Sequence, residues 1–299
     1  MSRSLTPVQW SIIFLAIALS AGSILYRLLM HERLGHSSLM FLGIPAVLTI
    51  LLALTPKAKS ITGGIMKGIT IALLIVAPLM GEGYLCILIA SPLFYLLGAV
   101  VGVISENNRR KRFTKLSCIS IILIPMAFEG VTPQLSFRRT QSVEVTETIH
   151  APASAIALAL SSSPRIDTPL PAFLRIGFPR PLQAYGSGSA IGSYRIIHFA
   201  GAEGDPPGDL MMRVAESQPG LIRFDTVSDN SKLTQWISWN SSEVRWTPLD
   251  KEHTSVSWRI SFDRKLDPAW YFTPWERAAV RDAAEYLIES NATPTEAKQ

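Results

Sequence analysis

His31, Glu32 and His36, in the run HERLGH (31–36), are residue types that bind a metal and activate water on it. A zinc-protease helix needs its two histidines four apart, so that both rings leave one face and share the ion. Here Gly35 stands at that position and the histidines are five apart, about 140° around a helix. The run therefore reads as a polar loop between apolar segments, and no metal is expected. The glycines of GSGSAIGS (186–193) match neither the dinucleotide fingerprint nor the phosphate-loop spacing, so they read as a turn between strands. His150, His198 and His253 stand singly, with no Ser or Cys at nucleophile-elbow spacing, and each reads as a packed or surface imidazole. No catalytic residue and no cofactor can be assigned from these patterns.

Two further groups bear on ligand recognition. Arg195 and His198 are three apart in one predicted strand and so face opposite ways; at most one turns inward, where it could orient a polar group of a ligand. In KLDPAWYFTPWERAAV (265–280), Trp270, Tyr271, Phe272 and Trp275 crowd six positions. Such a cluster can lie on lipid, wall a pocket or fill a core. A structural role at the rim of a pocket is the reading preferred here. Trp236, Trp239, Trp246 and Trp258 suit a core and a cavity wall equally well.

The elements that must position these residues divide into two parts. Residues 1–130 carry 11 Lys/Arg against four acids, and residues 131–299 carry 17 against 19, so the net charge of +5 is +7 and −2. The positive charge falls in short loops between apolar runs, which points to membrane topology and away from nucleic acid. Apolar runs at 10–29, 39–54, 68–80, 84–104 and 116–128 predict about five membrane spans, the last needing residues 113–131 to reach full length. Arg109, Arg110, Lys111, Arg112 and Lys115 form the strongest positive cluster and predict a cytoplasmic loop. An integral membrane protein follows, of the bacterial inner membrane type, with its N-terminus cytoplasmic and residues beyond 131 extracytoplasmic. Cys86 and Cys118 both lie in apolar runs, which excludes a disulfide framework from the second part.

After a polar linker (131–141) the period changes. SVEVTETIHAP (142–152) alternates, with Val143, Val145, Glu147 and Ile149 on one face. A short helix is predicted over 151–163 and a Pro-rich irregular stretch over 163–181. Strands follow at 192–200, 210–217, 221–227, 242–248 and 254–263. In the last, Val256, Trp258, Ile260 and Phe262 share one face. Thr273-Pro274-Trp275-Glu276 has the form of a capping box with proline at the first helical position, predicting a helix from there to about Ser290. Its apolar side carries Val280 and Ala284. Residues 291–299 read as a disordered tail.

This order resembles the helix-grip fold of the START-like superfamily, also called SRPBCC or polyketide cyclase/dehydrase and lipid transport proteins. The resemblance covers 142–290 and rests on VEVTETIHAPASAIALAL, YGSGSAIGSYRIIHF and TSVSWRISFDRKLDPAWYF leading into the last helix. It implies a curved antiparallel sheet wrapped on a long C-terminal helix, with an apolar cavity for a hydrophobic small molecule or membrane lipid. Its members include carriers and enzymes. The expected fold is thus a multi-span α-helical membrane region followed by an α+β helix-grip domain. Its candidate cavity residues are Arg195, His198, Trp246, Trp258, Ile260, Trp270, Val280 and Ala284. A cyclase/dehydrase-type enzyme and an interaction or sensory protein with a filled cavity are the alternatives.

Overall fold

A computed structural model describes residues 10, 12–14, 17, 44–55, 58–80, 84–107, 129, 134, 136–166, 168–201 and 206–293. The run HERLGH, the basic cluster 109–115 and the apolar run 116–128 lie outside the described residues, and the run 10–29 is described at five positions. The chain divides into two compact units, Met1–Pro125 and Met126–Gln299.

In the first unit, α1 spans Ile44–Leu54, α2 Ile61–Met80 and α3 Tyr84–Asn107. Helices α2 and α3 pack closely because small residues lie between them. A Cβ at Gly102 would come within 2.7 Å of the Thr62 Cα, and one at Gly98 would strike the Ile69 side chain. Thr70 and Tyr95 hydroxyls pair at 2.7 Å, and the Glu106 carboxylate accepts the Thr62 N–H at 3.1 Å, capping the start of α2. Large apolar side chains such as Leu51, Leu88, Phe94, Leu96 and Val103 are exposed in this unit.

Among the described residues no helix is long and apolar enough to cross a membrane. The expected multi-span region is therefore unsupported by the described residues.

In the second unit, β1 (Thr140–His150) is followed by α4 (Ala153–Ser161), whose Ile156 and Leu160 are buried. Then come β2 (Pro181–Tyr185), β3 (Tyr194–Phe199), β4 (Gly208–Gln218), β5 (Leu221–Asp229), β6 (Ile237–Pro248) and β7 (His253–Arg264). All pair antiparallel in the order β1-β7-β6-β5-β4-β3-β2. Bulges at Met211/Met212, Val214/Glu216 and Trp239/Ser241 interrupt the ladders, and such insertions bend and twist a sheet. The predicted alternation in β7 is found. Val256, Trp258, Ile260 and Phe262 are at most 5% exposed, while Arg259 points outward and pairs with Glu144 of β1 at 2.5 Å.

Helix α5 (Ala269–Leu287) lies on β1 and β7 and continues as a π-helical turn, Ile288–Ala292. Val280, Ala284 and Ile288, almost fully buried, form the stripe that meets the sheet. The capping-box expectation fails. Thr273 lies inside the helix, Pro274 also lies inside it and has no N–H to give the Trp270 carbonyl, and the N-cap is Pro268, which offers no side-chain bond. A carboxylate from elsewhere does the work: Glu129 accepts the Ala269 N–H at 3.0 Å. Glu276, freed from capping, turns back to the β7–α5 corner and accepts the N–H groups of Lys265 and Leu266 at 3.3 Å each.

Candidate functional site: a cleft beside the last helix

A recess lies along the flank of α5. Its period brings Trp270, Thr273, Pro274, Arg277, Ala278, Arg281 and Asp282 to one side. Phe137 of the linker and Val143 of the edge strand β1 complete the walls of a cleft of about 740 Å³, within the usual range for a small-molecule site. The lining is mostly apolar, with two guanidinium groups on the helix side. Arg277 donates from Nη1 to the Ser142 carbonyl at 3.1 Å and to Gln141 Oε1 at 3.4 Å, so its position is fixed by β1. Partial burial raises the Asp282 carboxyl above its ordinary value, and neighbouring Arg281 offsets this in part.

The corner at the foot of the cleft is ionic and buried. Arg264, 1% exposed, donates to Asp267 at 2.5 Å, to Leu266 O at 3.0 Å and to Phe137 O at 2.8 Å, and reaches Glu129 at 3.5 Å. Arg139 pairs with Asp267 at 3.0 Å. Beside them, burial pushes the Glu276 carboxyl up to about 7, against the lowering effect of its two backbone N–H partners and Arg264. Its Oε2 is buried with no partner.

The other residues singled out from sequence are dispersed. Arg195, 3% exposed, turns inward, as its strand position allowed. It donates to the carbonyls of Gly188 at 2.7 Å, Tyr194 at 3.2 Å and Leu160 at 3.4 Å, and lies 5.7 Å over the Phe224 ring. It thus ties the end of α4 to the glycine turn, where Gly186, Gly188 and Gly192 adopt positive φ. His198 points the other way and pairs with Asp209 at 2.6 Å near the surface. Trp258 donates to the Ser242 hydroxyl at 2.7 Å inside the sheet, next to Ile260. Trp246 is half-buried. Val280 and Ala284 face the sheet, whereas Trp270 lines the cleft and is 48% exposed. Sequence reasoning passed over Phe137, Arg277 and Arg281. The arginines fell on the charged side of the helix, and only the fold shows β1 and the linker standing beside that side.

The strand order, with one long helix gripped by the sheet, is a helix-grip arrangement occupying the C-terminal part of the chain. No family model matches the chain, and no curated protein does. Solved structures are similar to it at low identity. A START superfamily protein from Mycobacterium smegmatis is 15% identical over 50% of this chain and 92% of its own, with TM-score 0.34. An aromatase/cyclase from a Streptomyces species is 20% identical over 53% and 94%, with TM-score 0.31. Norcoclaurine synthase from Thalictrum flavum, in complex with dopamine and hydroxybenzaldehyde, is 18% identical over 50% and 87%, with TM-score 0.32. Likeness this distant assigns no function, which has to be argued from the chain's own cleft.

Proposed function

We propose that the C-terminal domain binds a hydrophobic, lipid-like ligand, and that the apolar runs before it hold the protein in a membrane. The observation that carries the first half is the cleft itself: about 740 Å³, apolar walls, and Arg277 and Arg281 placed to meet a polar or anionic end. The second half rests on the five apolar runs and on the exposed apolar side chains of α1 and α3.

A cyclase/dehydrase-type enzyme has one observation in its favour, the buried Glu276 carboxyl that titrates near neutrality. Its Oε1 is held by two backbone N–H groups, and it sits in the buried corner with Arg264 and Asp267 rather than on the cleft lining, which favours binding over catalysis. The test is titration of the full-length protein with an environment-sensitive apolar dye, alongside mass spectrometry of co-purified lipid. Ala278→Trp, on the exposed lining, should abolish dye binding and leave the fold intact. Dye binding that survives this change, or a wild-type protein that binds neither dye nor lipid, would move the reading to an interaction protein with a filled interior.

A further inference from the structure

His150 ends β1 and His253 begins β7, and the two are register partners across the antiparallel pair. Their rings meet with centroids 4.7 Å apart, and the His150 Nδ1 lies 3.1 Å from the His253 Nε2. The opposite nitrogen of His253, Nδ1, donates to the Asp250 carboxylate at 2.9–3.0 Å. That carboxylate is itself held, accepting the N–H groups of Glu252 and His253 at 2.7 Å each. Asp250 therefore fixes the proton of His253 on Nδ1 and turns the lone pair of Nε2 toward His150.

We propose that His150 and His253 form a two-imidazole site for a first-row divalent cation such as Zn²⁺, Ni²⁺ or Cu²⁺, with Asp250 as the carboxylate that orients His253. A cation bonded to both nitrogens at roughly 2.0–2.1 Å would subtend about 95–100° at their present separation, a usual angle for such ions, once each ring turns to aim its lone pair at the ion. The proton that His150 holds on Nδ1 in the empty pair passes through solvent to its outward Nε2, leaving two lone pairs facing the ion. The carboxylate–histidine arrangement raises the basicity of the ligand and sets its orientation. Strand ends, not loop tips, carry both rings, and the neighbouring backbone is pinned by the buried bond from Thr254 Oγ1 to Ala151 O at 2.7 Å. Among the described residues no third His, Cys, Asp or Glu joins the pair. The remaining coordination positions are thus left to water or an exogenous group. Both side chains reach the surface, which gives an ion free entry. The site is independent of the ligand cleft and ties the edge strand β1 to β7.

The full-length protein, stripped with chelator, is titrated with Cu²⁺ alone by calorimetry, and the bound ion is observed by electron paramagnetic resonance. One saturable site with hyperfine structure from two imidazole nitrogens is expected. His150→Ala and His253→Ala should each weaken it at least tenfold, and Asp250→Asn by about tenfold or more. His150→Gln, which preserves a hydrogen bond to His253 but supplies a poor ligand, should behave like the alanine variant. The proposal is overturned if wild type shows no saturable binding, or if the double variant His150→Ala/His253→Ala binds as wild type does. Full affinity in His150→Gln overturns it as well.

Discussion

The Glu129 carboxylate accepts the backbone N–H of Ala269 at 3.0 Å, joining residues 140 positions apart. A negative group at the first turn satisfies an orphan donor and meets the positive end of the helix. Because Glu129 is 6% exposed and shares its carboxylate with Arg264, this cap is screened little by solvent. Glu129→Ala should expose the amides of Ala269–Phe272 to faster hydrogen exchange and cost about 1–3 kcal/mol in the C-terminal unit. Thr273→Ala, at the position the sequence suggests for a cap, should cost no more than roughly 0.5 kcal/mol. Equal effects from the two changes would refute this assignment of the cap.

Glu276 gives a pH dependence with a definite sign. Its carboxyl titrates at about 7 in the folded protein against 4.5 in the unfolded chain, chiefly because of burial. Between those values the folded state binds more protons, so stability falls as pH rises. The contribution is fully present below about pH 4.5 and lost as pH passes through about 7. The span amounts to roughly 3 kcal/mol at about 1.36 kcal/mol per pKa unit. Urea denaturation from pH 4.5 to 8 should show this decline in wild type, and Glu276→Gln should flatten it. A wild-type curve that rises over the same interval would contradict the burial argument.

How far the sequence reaches is clearest in β7 and α5. Strict alternation fixed the inward face of β7 residue by residue, because a strand with one wet face obeys a period of two. The same rule failed for the first half of β6, where the bulge at Trp239/Ser241 breaks the period. It also missed β2, which begins at Pro181 on the sheet edge, where a proline is tolerated. Helical period separated Val280 and Ala284 from Arg277 and Arg281, but it says nothing about what neighbours either side. The linker that supplies Phe137 and Glu129, and the strand that supplies Val143, lie more than 120 residues earlier. His150 and His253 escaped notice for the same reason, since ligands 103 positions apart leave no local spacing to read.

Topology can be checked without a structure. The charges of Arg109–Arg112 should be retained inside, and five spans with a cytoplasmic N-terminus export the C-terminus. A reporter fused after Gln299 should then be active on the extracytoplasmic side. Replacing the four basic residues with neutral ones should weaken that preference. A cytoplasmic signal would show that the run 116–128 does not cross.

The aromatic cluster of α5 distinguishes the remaining readings, because its members face different surroundings. Trp270 lines the cleft and is 48% exposed, whereas Val280, ten residues further on, is 1% exposed against the sheet. Val280→Trp forces a large ring into a packed interior and should destabilise the C-terminal unit by about 1–3 kcal/mol. Trp270→Ser removes only half-exposed area, so the fold should persist while apolar dye binding weakens severalfold. Tyr271 stacks edge-on with both Trp270 and Phe272, at 5.7 and 5.0 Å, so the helix start keeps its brace in that variant. If Val280→Trp leaves stability unchanged, the space between helix and sheet is an open cavity and the ligand belongs there. If instead Trp270→Ser binds dye as wild type does, the cleft is not the site.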